Sequence, residues 1–151
     1  MRKNQGFTLI ELIAVIVILG ILSAIALPKF VNLTSDARIA KMQGAVGSVN
    51  SASALIHAKW LAGGSLTTGN VEYEGGSLAI GTGVINGYPS AAEIATVAGL
   101  IPSDYTSTPA GTVATIADPG KSTCKFTYTE ATTTAPPVID KTTTVLDSTN
   151  C

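Results

Sequence analysis

The chain has 151 residues, 46% hydrophobic and 13% charged, with a formal net charge of −1. That length suits one domain. The apolar content excludes a disordered chain, and the even charge balance leaves no basic footprint for nucleic acid. A single histidine, His57, and two cysteines, Cys124 and Cys151, offer no cluster at metal-ligand spacing.

Arg2 and Lys3 precede an apolar run from Phe7 to Leu27, and residues 4–28 contain no other basic residue. As a helix the run would span roughly 31 Å at about 1.5 Å per residue, close to the hydrocarbon thickness of a bilayer. The two cations fit a cytoplasmic N-terminus. Two readings are open on composition. One is a single-pass helix that the protein keeps. The other is a secretory signal peptide with Met1–Gln5 as its charged region and Ala24-Ile25-Ala26 as its cleavage site, which would release a secreted domain. Glu11 fits neither readily, because a charge at the centre of a span costs about 2.5–3.5 kcal/mol, and less toward its end. Such a carboxylate calls for a positive partner. A cut after Gly6 would create one, the α-amino group of Phe7, one helical turn away on the same side. The pair could form within one chain or between neighbours, where it would set their stagger.

Gly20 and Pro28 are weak points in this helix; proline removes a backbone hydrogen bond and kinks the turn before it. An amphipathic pattern then resumes from Ser35 to Trp60. Ile39, Met42, Val46, Val49, Ser53, Ile56 and Trp60 step by three and four residues, a stripe broken only by a serine and suited to packing on a sheet. Asp36, Arg38, Lys41, Asn50 and Lys59 fall outside it. Gly44, Gly47 and Ser53 favour close backbone packing, and Gly63-Gly64 stops the helix. His57 adjoins the stripe and reads as a boundary residue.

Residues 63–88 are glycine-rich, but no glycine is followed by the Lys-Ser/Thr of a phosphate loop, and Gly81-Thr82-Gly83 is too short for a dinucleotide signal. The region reads as a loop with extended pieces at Asn70–Glu74 and Ser77–Ile80. Ser90 and Glu93 have capping-box spacing, predicting a helix from Ala91 to about Ala98. Farther on, Thr112–Ile116, the alternating Cys124, Phe126 and Tyr128, and Val138–Leu146 predict strands, with Pro136-Pro137 as a turn. The fold expected is α+β: a long, kinked N-terminal helix packed on a small antiparallel sheet. Two late cysteines behind an apolar segment point to a disulfide in an exported domain, with two free thiols as the other reading. Asn32-Leu33-Thr34 has the N-glycosylation pattern but lies in the expected helix. Thr132–Thr134 and Thr142–Thr144 read either as strand and turn residues or as glycan acceptors.

The segment Gly6-Phe7-Thr8-Leu9-Ile10-Glu11-Leu12, behind its short basic leader, resembles the class III signal of type IV pilins and of the related type II secretion pseudopilins. The brief leader is similar to the type IVa kind, and Gly87-Tyr88-Pro89 and Pro28-Lys29-Phe30 resemble the mannose-sensitive haemagglutinin branch. The resemblance is strong over the first 35 residues and loose beyond. It implies a leader, residues 1–6, removed between Gly6 and Phe7 by a prepilin peptidase that also N-methylates Phe7. It implies a retained hydrophobic helix, residues 7–34, as membrane anchor and filament core, and a head, residues 35–151. Glu11 would neutralise the amine of an adjoining subunit. The helix would loosen around Gly20 and Pro28, and Cys124 and Cys151 would bound a surface-contacting C-terminal region. The major pseudopilins generally lack that disulfide, so the cysteines favour a pilin. The implied life is structural, with no catalytic residue, cofactor or metal. The subunit would sit in the inner membrane, then join an extracellular homopolymer serving adhesion or twitching motility. Its partners would be copies of itself, the assembly platform and ATPases, and an outer-membrane secretin.

Overall fold

The computed structural model describes residues 7–141 and 146–151, with the backbone alone over residues 27–32. The leader, including Gly6, the side chains of Pro28 and Asn32, and the Thr142–Thr144 run lie outside the described residues. The chain divides into two units, residues 1–35 and 36–151.

A single helix, α1 (Leu9–Ala62), supplies the first unit and the spine of the second. Both Gly20 and Pro28 lie within it. In the second unit the stripe read from the sequence is the buried face: Met42, Val49 and Ile56 are fully buried, Val46 and Ser53 nearly so. Ser53 has a reason to be there. Its hydroxyl meets that of Tyr128, which in turn donates to the Pro89 carbonyl at 2.7 Å. Burial, opposed by the Ser53 bond, pushes the Tyr128 phenol up to about 12, so it stays a donor at any physiological pH. Gly44 and Gly47 do not pack on the sheet. Both are exposed, with no atom within 4 Å of a built Cβ.

The helix stops where expected. Gly64 takes φ +84°, and the N–H of Ser65 turns back to the Trp60 carbonyl at 3.0 Å. Two hairpins follow. Strands β1 (Asn70–Tyr73) and β2 (Gly76–Ala79) pair antiparallel, matching the extended pieces expected there. Strands β3 (Val84–Ile85) and β4 (Tyr88–Pro89) were not anticipated. Their turn is Asn86-Gly87, with φ +52° and +83°, the two-residue turn whose hand suits a hairpin. Val71, Leu78 and Val84 close a second small core over Ile56.

The capping box expected at Ser90 and Glu93 does not form. Ser90 donates its N–H to Gly83, and only the four residues Ile94–Val97 are helical as α2, without a side-chain cap. The N–H of Ala91 is taken instead by the Glu130 carboxylate at 2.6 Å. Gly83 thus claims the Ser90 N–H that the box would have used, while the Glu93 N–H goes to the Ser90 carbonyl at 3.1 Å.

The main sheet is antiparallel in the order β5-β6-β7-β8. Strand β5 (Thr106–Ala110) was missed because its residues are polar and include Pro109; it is a fully exposed edge, where proline is tolerated. Strands β6 (Val113–Asp118) and β7 (Lys121–Thr129) form the centre. Ala114, Ile116, Cys124, Phe126 and Tyr128 point into the core against Met42, Ala45, Val46 and Val49. Strand β8 is Val138–Asp140, shorter than the Val138–Leu146 expected, and residues 142–145 of that stretch lie outside the described residues.

Gly87 lies close against the Trp60 ring of the helix. A Cβ built there would fall 2.5 Å from the Trp60 ring, and φ is already left-handed. Gly87→Ala is expected to destabilise the head by about 1–3 kcal/mol. Chemical denaturation followed by the fluorescence of Trp60, the only tryptophan, measures it.

Candidate functional site

In the first unit, the described stretch from Leu9 to Ala26 is long and apolar enough to cross a membrane. Every residue of it is exposed, Leu9 by 75% and Ile21 by 59%. Soluble monomers rarely show contiguous apolar patches above a few hundred Å². This exposed apolar surface fits a membrane anchor.

At its start lies the partner of Glu11 that charge reasoning overlooked. The Glu11 carboxylate accepts from the N–H of Thr8 at 2.8 Å and from its hydroxyl at 2.7 Å. In return the N–H of Glu11 reaches the Thr8 hydroxyl oxygen at 3.3 Å. This reciprocal pair is a capping box that satisfies donors left over at the start of a helix. The signal, Thr8-x-x-Glu11 ahead of an apolar run, was present in the sequence. Glu11 therefore has two capacities: it caps its own helix, and its carboxylate sits at the tip of an otherwise apolar surface.

In the head, the two cysteines are joined. Cys124 and Cys151 form a disulfide with Cα atoms 4.5 Å apart, both buried in the main core. A bridge across 27 positions contributes about 3.5 kcal/mol in the chain-entropy model. The residues around it hold the C-terminal tail. Arg38 donates to the Cys151 carbonyl at 3.3 Å, Lys121 to that of Thr149 at 3.0 Å, and Thr123 to that of Asn150 at 2.6 Å.

Beside the tail is an ion cluster that sequence reasoning missed. Asp118 is 4% exposed and pairs with Lys41, with Arg38 at 3.7 Å. The N–H groups of Gly120 and Lys121 also point at its Oδ1, at 2.8 and 3.1 Å. Lys41 further donates to the Asp104 carbonyl at 3.0 Å, and Tyr105 donates to that of Lys41 at 3.3 Å. Two of the three cations that fall outside the apolar stripe, Arg38 and Lys41, thus clamp the helix to the β6–β7 turn. Asp118-Pro119-Gly120 is a turn signature that marks the place. Burial works against the charged carboxylate, but Lys41, the Gly120 N–H and Arg38 outweigh it and hold the Asp118 carboxyl below the usual range.

His57 stacks on Tyr88, ring centroids 4.0 Å apart, and its Nδ1 lies 3.2 Å from the Gly87 carbonyl. It braces the β3–β4 hairpin. Among the described residues no three histidines, cysteines or carboxylates gather as a metal would need.

Residues 1–27 match the family model for the prokaryotic N-terminal methylation motif. The chain is 53% identical over 53 residues to the type IV narrow pilus major component PilA5 of Thermus thermophilus, covering 35% of this chain and 46% of that one. It is 34% identical over 76 residues to a fimbrial protein of Pseudomonas aeruginosa, 49% of each chain. It is 39% identical over 49 residues to the type IV major fimbrial protein FimA of Dichelobacter nodosus, 32% of this chain and 31% of that one. The chain thus spans about half or less of the length of these curated relatives. No solved structure matches it.

The Asp118 cluster generates a pH prediction. Its folded pKa lies below the unfolded value of about 3.9, so its contribution is complete above that value and is lost as pH falls through the folded pKa. Urea midpoints of the oxidised head should therefore drop in that acid window. Asp118→Asn should lower the midpoint at neutral pH and flatten the acid dependence. An unchanged acid slope in that variant would assign the effect to other carboxylates.

Proposed function

We propose that this chain, whose N-terminal region is that of a type IV pilin, is the structural subunit of a type IV pilus. The observation that carries this reading is the apolar stretch Leu9–Ala26, exposed throughout and opened by the Thr8–Glu11 box inside a methylation motif. In this reading a prepilin peptidase cuts between Gly6 and Phe7 and the new amine is methylated. The helix first lies in the inner membrane, where lipid covers its apolar sides. It then packs against its counterparts in a fibre, where other subunits cover them. Extraction from one apolar medium into another costs little hydrophobic free energy, so the exchange needs only a device that fixes register.

Glu11 is that device in the proposal. While the subunit waits in the membrane, Thr8 supplies two donors and keeps the carboxylate satisfied. In the fibre the methylated amine of a neighbouring Phe7 takes up the carboxylate. A pair of this kind in a water-poor core adds little net stability, because both charges must be desolvated. Its worth is positional: a subunit seated one turn off would leave both charges unpaired. Pro28 has no N–H to offer the Ala24 carbonyl, so with Gly20 it marks where the helix is proposed to loosen on leaving the bilayer. The head, tied by Cys124–Cys151, is proposed to face outward and carry whatever contacts the fibre makes. Adhesion and twitching motility are the roles this assembly would serve, with the assembly platform, ATPases and secretin as its machinery.

Glu11→Ala in the native host tests the register role. The variant should be processed and remain in the inner-membrane fraction, while fibres seen by electron microscopy fall by at least about tenfold, as expected when an unpaired charge costs 1.4 kcal/mol or more per subunit contact. Normal fibre numbers would overturn it. Thr8→Val, which removes only the hydroxyl, should reduce assembly less than Glu11→Ala.

A further inference from the structure

Trp60 lies in the last turn of α1, half-buried, and its ring is held in place. Its Nε1 donates to the Leu66 carbonyl at 2.8 Å, and Gly87 backs the six-membered ring. An indole already fixed at a surface loses little freedom when a ligand lies against it. Two hollows, of about 300 and 320 Å³, share Trp60 and Leu66 as walls. Both are at the small end of the range for ligand pockets. The larger has no charged side chain, and its one amide, that of Asn86, already donates to the Ala131 carbonyl at 2.9 Å. The smaller is different: Lys59, Asn70 and Glu72 line it beside Val71.

Asn70 and Glu72 are two residues apart on β1, so both side chains leave the same face of the strand, while Val71 between them is buried in the second core. Opposite them on β2 stand Ala79 and Ser77, short side chains that make no bond to them. Lys59 reaches the same hollow from α1. Among the described residues, the side chains of Lys59, Asn70 and Glu72 have no hydrogen-bond or ion-pair partner. A cation, an amide and a carboxylate therefore border one hollow with their bonding capacity open. The indole beside them has its own polar atom engaged and offers only apolar surface.

We infer that this hollow is a non-covalent binding site for a neutral pyranose. The C–H face of such a ring suits the indole, by dispersion and by release of water. Its hydroxyls each donate and accept, and the rim answers both needs: Lys59 Nζ donates, the Glu72 carboxylate accepts, and the Asn70 amide does either. Other ligand classes fit less well. One carboxylate with no histidine or cysteine beside it does not hold a divalent cation. A carboxylate next to a single lysine disfavours a phosphate. A wholly apolar ligand would strip water from three polar groups and give nothing in return. The site belongs to the head alone, so the inference does not rest on the pilus reading.

Trp60 is the only tryptophan, so its emission reports on this hollow directly. The test titrates the full chain, held in a polyoxyethylene detergent that carries no sugar, with the methyl glycosides of glucose, galactose, mannose and N-acetylglucosamine. Glucosamine and glucuronate serve as charged probes, and saturation-transfer NMR on the same samples gives a second readout. At least one neutral glycoside should change the Trp60 emission saturably and receive saturation transfer. Glu72→Gln and Asn70→Ala should each weaken that binding by at least about fivefold, as expected for one lost hydrogen bond. Both positions are exposed, so the urea midpoint should not move. Glu74→Gln, on the same hairpin but outside the hollow, should bind as the parent does. The inference is overturned if no neutral glycoside responds in either readout, if only a charged probe does, or if the Glu72 and Asn70 variants bind as tightly as the parent. Fibres that assemble from protein with no sugar affinity would remove this inference and leave the pilus reading intact.

Discussion

From Leu9 to Ala26, α1 turns Ile, Leu and Val side chains outward on all sides, and water penalises such surface by roughly 25 cal/mol per Å². Such a surface suits lipid or other protein as its cover. The head is organised around a different rule. There α1 has one apolar face, and the sheet, the two hairpins and α2 cover it. One helix thus joins an element that needs outside partners to a head that supplies its own. Thr8 and Glu11 place a hydrogen-bonded carboxylate at the beginning of the Leu9–Ala26 stretch.

The head is held together by contacts of its own. Its sheet and helix are locked at three points of different chemistry. The Cys124–Cys151 bond closes the tail, the Asp118 cluster binds α1 to the β6–β7 turn, and the Ser53–Tyr128–Pro89 chain crosses the core. The last two are buried polar contacts with their hydrogen bonds made, which fix one packing arrangement more than they add stability.

What could be read from the sequence followed from periodicity. The stripe from Ile39 to Trp60 and the alternation at Cys124, Phe126 and Tyr128 are set by burial, and burial repeats at the helix and strand periods. The features missed were those decided by particular tertiary partners. Ser90-x-x-Glu93 and Thr8-x-x-Glu11 have the same spacing, yet only the second forms a box, because Gly83 and Glu130 engage the backbone donors near the first. Strand β5 escaped notice because an exposed edge carries no apolar pattern. Asn86-Gly87 is the strongest local signal that the reading passes over, in a glycine-rich stretch read as a loop with extended pieces only at Asn70–Glu74 and Ser77–Ile80. At the candidate site, the cysteines and Glu11 were visible as residue types. The threonine that satisfies Glu11 and the lysine and arginine that satisfy Asp118 were not weighed as partners.

Everything proposed for the fibre requires that the apolar helix stay on the mature chain, and the intact mass of protein purified from its host measures this directly. A polypeptide beginning at N-methylated Phe7, recovered in fibres or in the membrane fraction, is the result expected. A polypeptide beginning at Leu27, recovered as a soluble monomer, would show that the helix is only a targeting signal and would contradict the account.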